Sequence, residues 1–383
     1  MAQQQTVLIL QGGGALGAYQ GGVYQQLHEV EQPIEWVIGT SIGAINSALI
    51  AGNPPETRVK KLRAFWDSLS PDAVHRDSFW PALAPWTNML SGMNAFGANT
   101  FGTNTLGMNT FGTMMNGVEG FFKPRFGASW DINAKVPLEQ TGFYDTSPLK
   151  MTLEKYVDFD YLNASPMRIS ICAVDIDNGQ GVVFDSTRDI ITAEHIMASG
   201  ALPPGFPPIK IGSHAYWDGG VYSNSPLDVF LDEKSKEDAL CFMVDLWDPT
   251  EARPDSIAET MSRYKSIQYA SRSQEQLLMH KKIQDMQRAI RTLSEYLPAA
   301  ERKKKELKEI MELGCDHTIN IVHLIMKALP DDHYFKDVDF STSTVQARWE
   351  AGLRDCKRAL KHKSWLQPLP PYAGLIIHEL AQE

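Results

Sequence analysis

The first fifty residues alternate short apolar runs with stretches of helical spacing. Val7–Leu10 and Trp36–Gly39 are apolar runs of strand length. Ala18–Val30, which lies between them, places apolar side chains at helical intervals. Ile42–Ala51 is small and apolar throughout, which is typical of a buried helix. Strands that alternate with helices in this way predict the opening of a parallel sheet covered by helices.

The same alternation continues in the second part of the chain, where five further apolar runs have strand length. They are Arg168–Ile176, Gly181–Asp185, Ile209–Ile211, Ala215–Trp217 and Leu240–Leu246. The third and fourth of these runs are close enough to form a hairpin. We therefore predict an α/β fold, a three-layer α/β/α sandwich with a mostly parallel central sheet, followed by a helical C-terminal extension.

Composition divides the chain into two predicted domains, residues 5–250 and residues 251–383. The first contains an insertion at 88–122 that is rich in Gly, Phe and Asn, with a five-residue repeat within it at 96–115. This insertion is either a lid over an apolar site or a loop packed on itself, and the sequence leaves both open. The second domain is mainly helical over 256–313, and we expect one further strand near 318–325.

Charge and hydropathy limit the classes of binding partner that the protein is expected to have. The formal net charge of −10 over 383 residues argues against a nucleic-acid partner, which requires a basic surface. The helical region 256–313 is the basic part of the chain, and it is either a membrane-docking face or a solvated helix pair. No apolar run is long enough to span a bilayer, so we expect a cytoplasmic protein, with peripheral membrane contact as an open alternative. The four cysteines are scattered, and their spacing predicts no metal site.

The second predicted strand ends in the sequence GTSIG, residues 39–43. This is the G-x-S-x-G pattern of a nucleophile elbow, a sharp turn from a strand into a helix. Gly39 and Gly43 satisfy the need for flanking positions without side chains. Ser41 then lies at the N-terminus of the following helix, where the helix dipole favours developing negative charge. The context makes Ser41 a candidate nucleophile.

A serine nucleophile needs a base, and the sequence offers two kinds. Among ten histidines, the best placed are His317 and His323, which flank the last predicted strand. Neither lies in a glycine-rich loop of the kind that presents a catalytic base. The other candidate is Asp218, an acid that ends an apolar strand and precedes two glycines. Partial burial beside apolar neighbours would raise its pKa; alternatively, Asp218 is a turn residue that caps a loop.

The first strand runs into a glycine loop with the spacing G-x-G-x-x-G. Gly12, Gly14 and Gly17 carry this spacing, with Gly13 between them. Such a loop either cradles the pyrophosphate of a dinucleotide or holds an anion that exists only in a transition state. A dinucleotide site needs an acidic residue at the end of the second strand, but that position here is part of the GTSIG turn. The residues therefore favour the transition-state anion, although a nucleotide-dependent oxidoreductase remains a rival.

Four sequence blocks together resemble the patatin-like phospholipases. They are QGGGALG at 11–17, GTSIG at 39–43, ASGALPPGFPP at 198–208 and DGG at 218–220. Their order and spacing match that family over about residues 5–250. The C-terminal third is similar to the additional domain that some bacterial members carry.

The resemblance implies hydrolysis of lipid acyl esters by a serine–aspartate dyad without histidine, through an acyl-enzyme. Ser41 would be the nucleophile and Asp218 its base. Gly12, Gly13 and Gly14 would supply backbone N–H groups to an oxyanion hole. The resemblance implies neither a metal nor a cofactor. Two alternatives stay open: an intracellular hydrolase of polyesters or hydroxyacid oligomers, and a membrane- or granule-associated binding protein with a vestigial site.

Overall fold

The structure of the chain is a computed structural model, which describes most of the two predicted domains. The described residues are 4–70, 113, 116–125, 133–233, 237–251, 253–329, 332, 335–367 and 370–379. Most of the predicted insertion at 88–122, including almost all of the repeat at 96–115, lies outside them.

The described residues form an alternation of strands and helices close to the predicted one. The strands are β1 (Gln5–Leu10), β2 (Trp36–Thr40), β3 (Lys123–Pro124), β4 (Tyr144–Asp145), β5 (Arg168–Asp175), β6 (Gly181–Asp185), β7 (Ile209–Ile211), β8 (His214–Asp218), β9 (Ala239–Asp245), β10 (Ile319–Ile325) and β11 (Leu375–Glu379). The helices are α1 (Ala18–Glu29), α2 (Ile42–Ala51), α3 (Pro55–Ser68), α4 (Ser147–Tyr156), α5 (Phe159–Ala164), α6 (Ala193–Ser199), α7 (Leu227–Leu231), α8 (Ile257–Glu295), α9 (Lys305–Met311) and α10 (Thr342–His362).

One large sheet organises the described part of the chain. Its strand order is β11-β10-β9-β1-β2-β5-β8-β7, and β6 also pairs with β5. From β11 to β5 all neighbours are parallel. The pairs of β5 with β6, β5 with β8 and β7 with β8 are antiparallel. The predicted fold class, with its mostly parallel central sheet, is confirmed.

Both faces of this sheet are buried, as the side chains of β1 show. Leu8 and Leu10 point into a core shared with α1, α2, α3 and α10, whereas Val7 and Ile9 point into a second core on the opposite face. The second core also contains side chains from α7 and α8. A strand that packs on both sides reads as a continuous apolar run, which is the pattern of VLIL in the sequence.

The C-terminal part extends the same sheet. β10 lies where one further strand was expected, and it pairs with β9 in parallel. A second strand, β11, follows near the end of the chain and was not predicted from the sequence. Helix α10 packs tightly on α1: a Cβ at Gly22 would lie 1.9 Å from the carbonyl oxygen of Trp349, and one at Gly352 would lie 2.0 Å from that of Tyr19. Because neither glycine has a side chain, the backbones of α1 and α10 can approach each other closely.

No helix among the described residues is both long and apolar enough to cross a lipid bilayer.

Candidate active site

Ser41 occupies a strained turn between β2 and α2. Its backbone has φ of 56° and ψ of −124°, a region that non-glycine residues seldom adopt. A Cβ at Gly39 would lie 2.3 Å from the carbonyl oxygen of Gly43, and a Cβ at Gly43 would lie 2.1 Å from that of Leu10. The turn therefore requires glycine at both positions, which leaves the prediction of a nucleophile elbow as a candidate function for this turn.

Asp218 lies beside Ser41 although 177 residues separate them in the chain. Strand β5 pairs with β2 through Cys172 and Thr40, and it pairs with β8 through Ala173 and Asp218. The ends of β2 and β8 therefore meet at the same level of the sheet. The Ser41 side chain lies close enough to the Asp218 carboxyl to affect its pKa, and both residues line one cavity.

The Asp218 carboxyl is almost completely buried, with 1% of the residue exposed. Burial raises its pKa from 3.8 to about 7, because the charged form loses its hydration. The neighbouring Ser41 side chain and a hydrogen bond of 2.7 Å from the Gly220 amide oppose this rise in pKa. A carboxyl with a pKa near neutrality can exchange a proton at physiological pH.

The glycine loop faces the same space, but its three amides differ. The Gly12 N–H donates to the carbonyl oxygen of Asn224 at 3.2 Å. In the part of the chain that the structure describes, the amides of Gly13 and Gly14 donate no hydrogen bond to a protein acceptor. Both residues line the cavity that contains Ser41. Of the three sequence candidates, Gly13 and Gly14 therefore have amides without an acceptor among the described residues, whereas the Gly12 amide is already engaged.

The two histidine candidates lie away from Ser41. His323 is on β10, which is three strands away from β2 in the sheet. Its Nε2 atom lies 2.9 Å from a carboxylate oxygen of Asp245. His317 precedes β10, and its Nδ1 atom is 3.0 Å from the sulfur of Cys315. Because neighbouring strands are about 4.8 Å apart, His323 is roughly 14 Å from the end of β2. Neither histidine is placed to take the Ser41 proton.

A cavity of about 610 Å³ contains the Ser41–Asp218 pair. Its volume lies within the range of small-molecule sites. Most of its wall is apolar and includes aromatic side chains from several segments. These are Phe121, Phe122, Phe143, Tyr144, Phe206, Phe335 and Phe340. An apolar cavity that opens onto a hydroxyl and a carboxyl can hold the hydrocarbon part of a substrate next to the reacting atoms.

The C-terminal region supplies one wall of the cavity. Lys265 and Tyr269 of α8 line it, together with residues of the short helix Lys336–Val338. The Lys265 ammonium lies 2.7 Å from both carboxylate oxygens of Asp337. A Cβ at Gly14, whose φ is +55°, would lie 2.2 Å from the carbonyl oxygen of Asp337. The C-terminal region therefore packs directly on the glycine loop.

Three residues that support this geometry escaped the sequence analysis. Ser199 at the end of α6 accepts a hydrogen bond from the Ser41 N–H at 2.9 Å and donates to the Cys172 carbonyl at 2.6 Å. Asn224 and Trp247 donate to the carbonyl oxygen of Gly12. One feature could have suggested Trp247: it follows β9, and the C-terminal ends of parallel strands meet at one edge of a sheet, where ligands bind.

Two family models match the chain. The model described as patatin-like phospholipase matches residues 8–231. A second model, described as patatin phospholipase, matches residues 267–372. No sequence among the curated proteins matches the chain.

Three solved structures are similar over most of this chain. VipD from Legionella pneumophila is 14% identical with a TM-score of 0.37, and the match covers 94% of this chain and 67% of that one. The type III effector protein ExoU is 13% identical with a TM-score of 0.33, covering 94% and 53%. Full-length ExoU in complex with SpcU, from Pseudomonas aeruginosa, is 16% identical with a TM-score of 0.27, covering 96% and 75%. The chain spans about two thirds of VipD and, in the first ExoU structure, about half of that chain.

The α/β fold and the family models define the class, which is that of the lipid hydrolases. The first model alone spans more than half of the chain. The chain therefore belongs to the patatin-like phospholipase family. The sequence-based predictions of this family and of an enzyme are confirmed.

Proposed function

We propose that the protein is a serine acyl-ester hydrolase in which Ser41 is the nucleophile and Asp218 the base. The observation that carries this proposal is that Ser41, in its strained turn, and the buried Asp218 carboxyl line the same apolar cavity. A carboxylate in hydrogen-bond reach can accept the hydroxyl proton directly.

In the first half of the reaction, the Ser41 oxygen attacks the ester carbonyl carbon and the Asp218 carboxylate takes its proton. The carbonyl oxygen becomes an oxyanion, which accepts hydrogen bonds from the amides of Gly13 and Gly14. Each such donor contributes roughly 3 kcal/mol to transition-state stabilisation. The carbon–oxygen bond to the leaving alcohol then breaks, and Asp218 returns its proton to that alcohol.

In the second half, a water molecule attacks the Ser41 acyl-enzyme. Asp218 takes a proton from the water, the same amides hold the second oxyanion, and the carboxylic acid leaves. The proton then returns to the Ser41 oxygen, so that the cycle restores both groups. Its pKa of about 7 allows Asp218 to act as base and acid in turn.

The cavity wall favours a substrate with a hydrocarbon acyl chain. We place the catalytic groups in the predicted domain 5–250 and assign the closing wall of the cavity to 251–383. Each methylene that leaves water gains about 0.8 kcal/mol. Three substrate classes would present an ester carbonyl to Ser41: a phospholipid, a simple ester and a hydroxyacid oligomer. They differ in the length of their apolar chain, so the dependence of the hydrolysis rate on chain length distinguishes them.

Helix α8 provides a surface for contact with lipid. Large apolar side chains project from its exposed face at helical spacing: Ile257, Met261, Tyr264, Ile267, Leu278, Met279, Ile283, Met286 and Leu293. The opposite face is buried through Ala270 and Leu277. Since Lys265 and Tyr269 of the same helix line the cavity, the exposed face continues from the site itself. We propose that this face lies on a lipid surface, as amphipathic interfacial helices do.

The decisive experiment compares the wild-type protein with Ser41→Ala. Esters of p-nitrophenol with short and long acyl chains are assayed beside a phospholipid and a 3-hydroxybutyrate oligomer. The wild-type protein should cleave long-chain esters and bind a fluorophosphonate probe covalently. Ser41→Ala should lose at least about 10⁴-fold in kcat and all labelling, and its melting temperature should remain close to that of the wild type.

The results separate the alternatives. Full ester cleavage by a folded Ser41→Ala variant would refute the assignment of the nucleophile. Turnover of the oligomer alone would replace the lipid substrate with a polyester. Absence of both turnover and labelling in the wild-type protein would favour a binding protein.

A further inference from the structure

The carbonyl oxygen of Gly12 accepts two side-chain hydrogen bonds in the buried wall of the cavity. Trp247 donates through its indole Nε1 at 2.9 Å, and Asn224 donates through Nδ2 at 3.0 Å. The Gly12 carbonyl and the Gly13 N–H belong to one peptide unit. Because that unit is planar and trans, the two groups point in opposite directions. Whatever fixes the Gly12 carbonyl therefore also fixes the direction of the Gly13 amide.

The peptide unit joins two glycines, Gly12 and Gly13, whose backbone dihedral angles are less restricted than those of other residues. With no Cβ on either residue, no side chain of Gly12 or Gly13 itself restricts the orientation of the peptide between them. A rotated peptide would turn the Gly12 carbonyl, with its negative end, toward the space where an oxyanion forms. The two hydrogen bonds to the Gly12 carbonyl oppose such a rotation, because both would have to break.

The indole of Trp247 is itself held by the C-terminal region. It is 2% exposed, and it stacks on Tyr269 with ring centroids 4.9 Å apart. The ammonium groups of Lys265 and Lys336 lie 5.8 and 5.5 Å from the ring centroid, within the range of cation–π attraction. Lys336 is further tied to Glu251 by an ion pair of 2.6 Å. These contacts fix the indole N–H in its direction toward Gly12.

We propose that Trp247 is a positioning residue for the oxyanion hole. Its indole N–H, together with Asn224, holds the Gly12–Gly13 peptide so that the Gly13 amide points at the oxyanion. The C-terminal region then has a role in the chemical step, because it holds the tryptophan. The inference rests on the proposed function of Ser41 and Asp218.

The test is Trp247→Phe, which removes the donor and keeps an aromatic ring against Tyr269. With a soluble p-nitrophenyl ester, kcat should fall roughly 10- to 100-fold while KM stays within about 2-fold, because only transition-state stabilisation is lost. Labelling by a fluorophosphonate should slow in parallel. The matched control is Trp365→Phe: this indole packs against Phe242 and His378 outside the cavity, and its replacement should leave kcat within about 2-fold of the wild type.

Two further variants keep the inference testable. Trp247→His retains a ring N–H donor and should recover part of the kcat that phenylalanine loses, which a purely structural role would not explain. Should Trp247→Phe not fold, Asn224→Ala removes the second donor and is expected to show the same fall in kcat without a change in KM.

Several outcomes would overturn the inference. One is a wild-type kcat in Trp247→Phe while Ser41→Ala is inactive; this would remove the positioning role and leave the hydrolase intact. Another is a change of both kcat and KM in Trp247→Phe, together with no recovery of kcat in Trp247→His. A wild-type protein that neither cleaves esters nor reacts with the fluorophosphonate would instead refute the proposed function itself.

Discussion

The two predicted domains contribute to the site in different ways. In residues 5–250, the groups proposed for the chemistry lie at strand ends: the glycine loop after β1, Ser41 after β2 and Asp218 at the end of β8. Among the described residues of 251–379 we assign no such group; instead α8 and the segment around Asp337 line the cavity, and the Asp337 carbonyl packs against Gly14. Under the proposed function, the first region provides the reactive groups, and the second packs around them.

The largest expected effect in the first region comes from Asp218→Asn. The variant keeps the shape of the carboxyl but cannot accept the Ser41 proton, so kcat should fall about 10²- to 10⁴-fold. In the wild-type protein, kcat/KM should rise with pH and reach half its maximum near pH 7, because Asp218 must be ionised. A pH–rate profile that is flat between pH 5.5 and 8.5 would contradict the assignment of the base.

The same substitution should stabilise the fold at high pH. The folded-state pKa is raised from 3.8 to about 7, so the unfolded chain loses this proton first and wild-type stability falls as pH rises toward 7. Asp218→Asn has no charge to bury and should be more stable than the wild type above pH 7, by roughly 1–3 kcal/mol. The two proteins should converge below about pH 4. Chemical denaturation at pH 4 and pH 8 measures this difference.

A smaller effect, on stability as well as activity, is expected from Gly43→Ala. The added methyl group would lie 2.1 Å from the carbonyl oxygen of Leu10, which is backbone and cannot move aside. The variant should lose about 1–3 kcal/mol of unfolding free energy, together with most of its activity. Gly200→Ala is the control for stability, since its methyl group would meet no atom closer than 3.8 Å. Equal melting temperatures of the two variants would show that the turn tolerates a side chain.

The smallest effect on chemistry is expected in the second region. The double variant Met286→Asp and Leu293→Asp places charges on two side chains of α8 that are 65% and 68% exposed. Flotation with phosphatidylcholine–phosphatidylglycerol vesicles should decrease, and so should hydrolysis of lipid in those vesicles. Cleavage of a soluble short-chain ester should stay within about 2-fold of the wild type, because surface substitutions away from a site seldom alter it. Unchanged flotation would refute lipid contact through this face, and a joint loss of both activities would show that α8 acts on the chemistry.

Local geometry explains why part of the site could be predicted from the sequence. The elbow around Ser41 depends on glycines two residues away on each side, so five residues contain the whole requirement. Asp218 was recognisable because a strand that ends in an acid and two glycines is a local pattern as well. The sheet could be predicted because strands buried on both faces form continuous apolar runs.

The remainder depends on contacts between distant parts of the chain. Trp247 and Asn224 reach Gly12 from positions more than 200 residues away, and nothing in their own neighbourhoods reveals this partner. The engagement of the Gly12 amide by Asn224 depends on the same long-range contact. Strand β11 lies close behind a proline-rich stretch at the end of the chain, where its short run of Leu375–Glu379 gave too weak a pattern.

The order of the strands has a consequence for synthesis. Strand β1 is synthesised before the other strands described here, yet it lies in the interior of the sheet between β9 and β2. Its apolar edge has no partner until Ala239–Asp245 has been translated, and the sheet is complete only with Leu375–Glu379. A nascent chain therefore carries an open strand edge until β9 has been made, which favours association with other chains. Products that terminate before Ala239–Asp245 keep this edge of β1 unpaired and are candidates for chaperone binding and degradation.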